Sequence, residues 1–238
     1  MAQTHVDPHL VTLTSPGSFA AEQYQGLRLT IERLRRGRTL QVIAVTSPAA
    51  GEGKTLTAIN LAGALARGAD DARVLLIDAD LRRPAVARQL AIDDAGGGLA
   101  EIVANRAATL DTVAQKLKPY NLSVMPAGMR NGTVHHILRS PRVEQLLGEA
   151  RGRFDYVILD TPPLLPVFDS AQLANSVDGV LMVVAANQTP RKLLGEALNL
   201  LDPAKVLGIV FNRDAKPMFG YYDAYYKDYF PEQIASEA

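Results

Sequence analysis

Thr46-Ser47-Pro48-Ala49-Ala50-Gly51-Glu52-Gly53-Lys54-Thr55 joins one apolar run, Gln41–Thr46, to a second, Leu56-Thr57-Ala58-Ile59-Asn60-Leu61-Ala62. The junction holds two glycines, a lysine and a threonine. A strand that feeds a helix through Gly-x-Gly-Lys-Thr presents successive backbone N–H groups and a helix N-terminus to phosphate oxygens. In such a turn Lys54 reaches the β- and γ-phosphates of a nucleotide, and the Thr55 hydroxyl ligates Mg²⁺. Gly51, Glu52, Gly53, Lys54, Thr55 and Leu56 are therefore the predicted nucleotide contacts. The full pattern has glycine where Pro48 stands, so the match is one residue short. The strand before the turn and the buried helix after it distinguish it from a chance Gly-rich turn.

Outward from this turn, five further apolar runs follow: Arg73–Ile77, Asn121–Met125, Asp155–Leu159, Gly179–Ala185 and Lys205–Phe211. Val74-Leu75-Leu76-Ile77 and Val180-Leu181-Met182-Val183-Val184 are apolar without interruption, as strands of a parallel sheet covered on both faces are. Ser140-Pro141 and Thr189-Pro190 each read as a helix N-cap followed by proline in the first turn. Strand alternating with helix predicts an α/β fold, a mostly parallel central sheet with helices on both faces. Ala20, Tyr24, Leu27, Ile31 and Leu34 recur at helical spacing and predict an amphipathic helix over 19–36. That helix opens a domain over 19–213, preceded by an arm over 1–18 and followed by a tail over 214–238. Within the arm, Thr12–Ser18 is rich in Thr, Ser, Pro and Gly and reads as loose, and Ala91–Gly98 reads as a mobile loop.

Two of the strand runs end in carboxylates: Asp78 and Asp80 after Val74–Ile77, and Asp160 after Tyr156-Val157-Ile158-Leu159. The carboxyl ends of parallel strands form the edge at which open α/β sheets bind ligands. Asp78, Asp80 and Asp160 should therefore meet Lys54, and carboxylates gathered beside a triphosphate imply Mg²⁺. Each aspartate alone would read as a helix N-cap or a turn residue. Their shared position after apolar strands favours the site.

The composition excludes several function classes. With 238 residues, 47% of them hydrophobic and 21% charged, the chain suits one folded domain. Its 25 basic and 25 acidic side chains sum to zero and give no bulk attraction to nucleic acid. The absence of cysteine excludes disulfides, thiol nucleophiles and thiolate metal sites. No apolar run approaches the roughly 18–20 residues that span a bilayer, and no basic-then-apolar leader follows Met1, so no secretory signal is expected. The neutral sum hides a polarity. Residues 1–40 carry five basic and three acidic side chains, whereas residues 214–238 carry two basic and five acidic ones. Five of the eight tyrosines fall between Tyr221 and Tyr229.

At these motifs the chain resembles the bacterial tyrosine kinase family, P-loop NTPases of the deviant Walker type to which the ParA/MinD ATPases also belong. The resemblance covers nearly the whole chain. Residues 46–55 match the phosphate loop with its substituted first glycine, and Asp78-Ala79-Asp80-Leu81-Arg82 and Asp160-Thr161-Pro162-Pro163 match the second and third motifs. ParA/MinD relatives carry a signature lysine early in the loop, where this chain has Ala49. The resemblance implies ATP-dependent phosphorylation of tyrosine, chiefly of Tyr221, Tyr222, Tyr225, Tyr226 and Tyr229, in the control of capsule or exopolysaccharide synthesis and export. ATP and Mg²⁺ are the implied cofactors, with Thr55, Asp80 and Asp160 at the metal, Asn212 at the adenine and Arg213 among the nucleotide contacts. Asp78, in preference to Asp80, is expected to orient or deprotonate the incoming phenol. Arg82 either stabilises γ-phosphate charge or makes a surface salt bridge.

The implied partners are the cytoplasmic tail of a membrane polysaccharide co-polymerase, a cognate tyrosine phosphatase and further copies of the chain. They place it in the cytoplasm, peripheral to the inner face of the plasma membrane. The family's oligomerisation motif, Glu-x-x-Arg-x-x-Arg, is met at Glu22 and Arg28, but Gln25 replaces the first arginine and one intersubunit ion pair is lost. The family's Pro-Asn-Pro segment is replaced after Gly128 by Met129–His136, and His135 and His136 read as helix-surface residues rather than metal ligands. Arg33, Arg35, Arg36 and Arg38 read as a solvated basic helix end, with anionic lipid or an acidic tail as the alternative partner. Two competing functions stand beside the kinase: a ParA/MinD-like ATPase switch whose tyrosines only pack, and a non-catalytic scaffold of a polysaccharide-export complex.

Overall fold

The computed structural model describes residues 6–68, 71–94, 96–128 and 137–214. Its strands are β1 (Val42–Thr46), β2 (Val74–Asp78), β3 (Gln115–Leu117), β4 (Leu122–Met125), β5 (Tyr156–Asp160), β6 (Gly179–Ala185) and β7 (Val206–Asn212). They form one sheet in the order β3-β4-β2-β5-β1-β6-β7, parallel throughout except for β3. Six strands fall on Gln41–Thr46 and the five apolar runs from Arg73 onward. The seventh, β3, is a short antiparallel edge strand that the sequence does not announce. Its Gln-Lys-Leu sequence has no strand pattern and is held extended by pairing Gln115–Leu117 with Val124–Leu122.

The apolar runs are continuous because alternate side chains enter two different cores. Val42 and Ala44, Leu75 and Ile77, Val157 and Leu159, and Val180, Met182 and Val184 face one side of the sheet. That side is covered by α5 (Leu99–Ala104), α6 (Leu110–Val113), α7 (Pro141–Arg153), α8 (Phe168–Leu173) and α9 (Arg191–Leu198). Ile43 and Val45, Val74 and Leu76, Tyr156 and Ile158, and Leu181 and Val183 face the other side. There lie α1 (Val11–Thr14), α2 (Phe19–Arg35), α3 (Lys54–Ala66) and α4 (Val86–Leu90). Ser18 caps α2 by accepting the Ala21 N–H, and Ser140 caps α7 with Pro141 in its first turn.

The segment that reads as loose is docked at its start, at Thr12, while Thr14–Gly17 are exposed. Thr12 and Leu10 are fully buried, and α3 is buried over its whole length except Leu56. Asn60, in the middle of α3, accepts from Thr12 N at 3.0 Å and Thr12 Oγ1 at 3.2 Å. Its amide donates to His9 O at 2.9 Å and Leu56 O at 3.0 Å, so the side chain is fully satisfied. Thr, Ser, Pro and Gly signal looseness only when nothing distant offers them partners, and Asn60 does. A second departure concerns α9, which begins after Pro190 rather than being capped by Thr189.

Candidate active site

The turn between β1 and α3 is built from two left-handed glycines, Gly51 at φ 84° and Gly53 at φ 90°. These angles are strained for any residue with a Cβ. The turn is tied down by its neighbours. Ser47 O and Pro48 O accept from Leu164 N and Leu165 N at 2.8 and 3.3 Å, and Thr46 Oγ1 donates to Pro162 O at 2.9 Å. The Asp160-Thr161-Pro162-Pro163 motif thus braces the loop from the end of β5.

At the first turn of α3, Lys54 Nζ lies 2.8 Å from Asp80 Oδ2 and 3.6 Å from Asp160 Oδ1. Thr55 Oγ1 donates to Asp160 Oδ2 at 2.6 Å. Asp78 and Asp160 are register partners on adjacent strands, which forces two carboxylates side by side. Burial raises Asp78 to about 7, helped by repulsion from Asp160, while the Val86 and Ala85 N–H groups pull it back. Burial likewise raises Asp160 to about 6, against the attraction of Lys54 and the Thr55 hydrogen bond. Burial alone would lower Lys54, but Asp160, Asp80 and Asp78 together hold its ammonium above the ordinary lysine value.

The two aspartates of the second motif are used differently. Asp78 Oδ1 accepts from Asp80 N at 3.2 Å, and Oδ2 accepts from Ala85 N and Val86 N, both at 3.0 Å. Asp80 Oδ1 accepts from Arg83 N at 3.0 Å, while its other oxygen holds Lys54. Arg82 is exposed on the loop after Asp80, and Arg213 is exposed at the end of β7 with φ 59°. Asn212 meets the loop directly, its Nδ2 donating to Glu52 O at 3.0 Å. Leu56 stands half-buried in the first turn of α3. The tyrosines at 221, 222, 225, 226 and 229 and the replaced segment at 129–136, with His135 and His136, lie outside the described residues.

The donor set fits Mg²⁺ held together with a phosphate. Asp160 Oδ1 is buried with no hydrogen-bond partner, beside a threonine hydroxyl and a second carboxylate. Among the described residues no three His, Cys, Asp or Glu side chains form a metal cage. Mg²⁺ does not need one, because it keeps waters and binds through one or two carboxylates plus substrate phosphates.

The family description "AAA domain" matches residues 40–202, which contain the loop and all three aspartates. The chain is 31% identical to tyrosine-protein kinase YwqD of Bacillus subtilis over 230 residues, covering 94% of each chain. This chain belongs to the bacterial tyrosine-protein kinase family. The kinase domain of Escherichia coli tyrosine kinase ETK superposes with a TM-score of 0.79 at 28% identity, over 85% of this chain and 79% of that one. The succinoglycan biosynthesis transport protein ExoP of Rhizobium meliloti is 34% identical over 89% of this chain, which spans only 27% of that protein's length.

Within this tyrosine kinase the motif position Gln25 is occupied locally. Arg28 Nε donates to Gln25 Oε1 at 2.9 Å and Arg28 also pairs with Glu32 at 2.6 Å, so both partners come from its own helix. The candidate site also contains a residue that sequence reasoning missed. Thr189 Oγ1 donates to Glu52 Oε1 at 2.7 Å across 137 positions. The Thr-Pro pair that marks a helix start was the only signal at Thr189, and it pointed to a cap.

Proposed function

We propose that this kinase transfers the γ-phosphoryl group of ATP to tyrosines of its own C-terminal cluster and so regulates exopolysaccharide or capsule synthesis and export. The observation that carries the reading is the convergence of Lys54, Thr55, Asp80 and Asp160 at one end of the parallel sheet. The acceptor phenol oxygen bonds to the γ-phosphorus, the bond to the β–γ bridging oxygen breaks, and ADP leaves. Such transfer depends on alignment and charge neutralisation more than on covalent help. Lys54 leaves Asp80 for the β- and γ-phosphates, and the loop N–H groups orient them. Thr55 and Asp160 would hold Mg²⁺, which would neutralise phosphate charge when bound. Asn212 and Arg213 are placed at the base end of the nucleotide in this reading.

The hydrogen bonds bear on the choice of base. Asp78, favoured from its motif, has both oxygens engaged by loop amides, whereas Asp80 is freed when Lys54 turns to phosphate. We therefore assign the phenol proton to Asp80 and the shape of the loop to Asp78. Arg82, exposed beside them, is assigned to γ-phosphate charge.

Similarity to the succinoglycan biosynthesis transport protein ExoP supports a place in polysaccharide assembly. Among the described residues no helix is long and apolar enough to cross a membrane. In this reading the kinase meets the inner face of the plasma membrane through the cytoplasmic tail of a co-polymerase, assembles with its own copies, and is reset by a phosphatase. The test is to incubate pure protein with Mg·ATP and map phosphotyrosine by mass spectrometry, with Lys54→Met as control. Labelling of 221–229 that the control lacks is expected. Hydrolysis without labelling would instead mark an ATPase switch, and no turnover a scaffold.

A further inference from the structure

Glu52 places a carboxylate in a turn that has to receive phosphate oxygens, between the left-handed Gly51 and Gly53. Turned into the turn, it would repel a nucleotide. The side chain is instead buried, 5% exposed, with both oxygens engaged. Thr189 Oγ1 donates to Oε1 at 2.7 Å, and the Ala49 N–H donates to Oε2 at 3.3 Å. Thr189 Oγ1 accepts the Ala185 N–H at 3.0 Å, so the Ala185 bond anchors the hydroxyl at the end of β6 while its single proton goes to Glu52. The main-chain oxygen of the same glutamate accepts from Asn212 at the end of β7. One loop residue is therefore gripped by two strands, through its side chain from β6 and through its backbone from β7.

We propose that Thr189 is a positioning residue for the nucleotide: its hydroxyl holds the Glu52 carboxylate out of the phosphate cradle and fixes the loop that receives the phosphates. Thr189 acts through Glu52 and makes no contact of its own with the reacting atoms. The inference rests on the reading of this loop as the phosphate cradle. Its signature is dependence on charge: without a carboxylate at position 52, the hydroxyl has nothing to restrain.

The test is a Mg²⁺-containing titration of the full chain with the fluorescent nucleotide mant-ADP. It compares wild type with Thr189→Val, Thr189→Ser, Glu52→Gln and the Glu52→Gln/Thr189→Val pair. Thr189→Val should weaken binding about tenfold, and Thr189→Ser should restore it to within about twofold. In the Glu52→Gln background the valine should add less than about twofold. In phosphorylation assays Thr189→Val should raise KM for ATP while kcat stays within about threefold, because the lost interaction acts on ground-state binding. Valine that binds as wild type, or costs the same factor in both backgrounds, would overturn the proposal. Should the valine variant fail to fold, Thr189→Ala makes the same comparison. Wild-type protein that binds no nucleotide would overturn the cradle itself, and the inference with it.

Discussion

A Cβ built on Gly53 would lie 1.9 Å from Asn212 Nδ2, whereas one built on Gly51 meets nothing within 4 Å. Both residues sit at positive φ, where a side chain costs roughly 1–2 kcal/mol. Gly53→Ala must in addition displace Asn212 and break its hydrogen bond to Glu52, a further cost of about 1 kcal/mol. Gly53→Ala is therefore expected to weaken nucleotide binding by about tenfold or more, and by clearly more than Gly51→Ala. Isothermal titration with ADP and Mg²⁺ ranks the two; equal losses would mean that Asn212 does not shape the loop. The same scale explains the charge pattern of the site. Asp78 and Asp160 are raised because register sets them side by side in a buried place, and Lys54 is the cation that makes this tolerable. A nucleotide entering the site has to replace the carboxylates as the partner of that lysine.

Between elements, Asp178 does for the opposite end of the sheet what Lys54 does for the site. It lies at the start of β6, accepts from Gln41 N at 2.9 Å and Val42 N at 2.8 Å at the start of β1, and takes both Arg151 nitrogens from α7 at 2.7 Å. Burial works against its charge, but Arg151 and the two backbone N–H groups outweigh it and hold the carboxyl below the ordinary value of 3.8. A lowered acid pKa gives stability that is present above the unfolded value and is lost as pH falls through the folded one. Asp178→Ala should cost about 2 kcal/mol at neutral pH, read from urea unfolding, since it strips charge-assisted bonds from a half-exposed pair. Below pH 4 the wild type should lose stability while the variant lacks that component. Curves that stay parallel through the acid range would remove Asp178 from the account. On the other face, Asn60 joins residues 9–12 to the middle of α3, so the helix that begins with Lys54 is held at its waist by the segment preceding α2.

For the molecule as a whole, the parts legible in the sequence are those fixed locally. β1, β2, β5 and β6 were visible because both their faces are buried, Lys54 because its glycine turn joins such a strand to a buried helix, and Asp78, Asp80 and Asp160 because they stand at or just past the ends of such strands. What escaped depends on distant partners. β3 exists through its pairing with β4, α1 through Asn60, and the role of Thr189 through a glutamate on a different loop. A Thr-Pro pair looks like a cap until its hydroxyl is taken by something else. The order of the sheet also sets the order in which the molecule can be completed. β5 lies between β1 and β2, which are consecutive in this sheet's chain order, and Val42 pairs with Val157 more than a hundred residues downstream. Long-range parallel pairing is slow and comes late in synthesis. A growing chain that has exposed Lys54 and Asp78 still lacks Asp160 and the brace that Pro162 and Leu164 give to the loop. Ribosome-bound chains that end before Tyr156 should therefore fail to retain mant-ADP, and those extended beyond β7 should retain it. Unfinished copies would then neither sequester ATP nor transfer its phosphate, and the enzyme would become competent only when its central strand is in place.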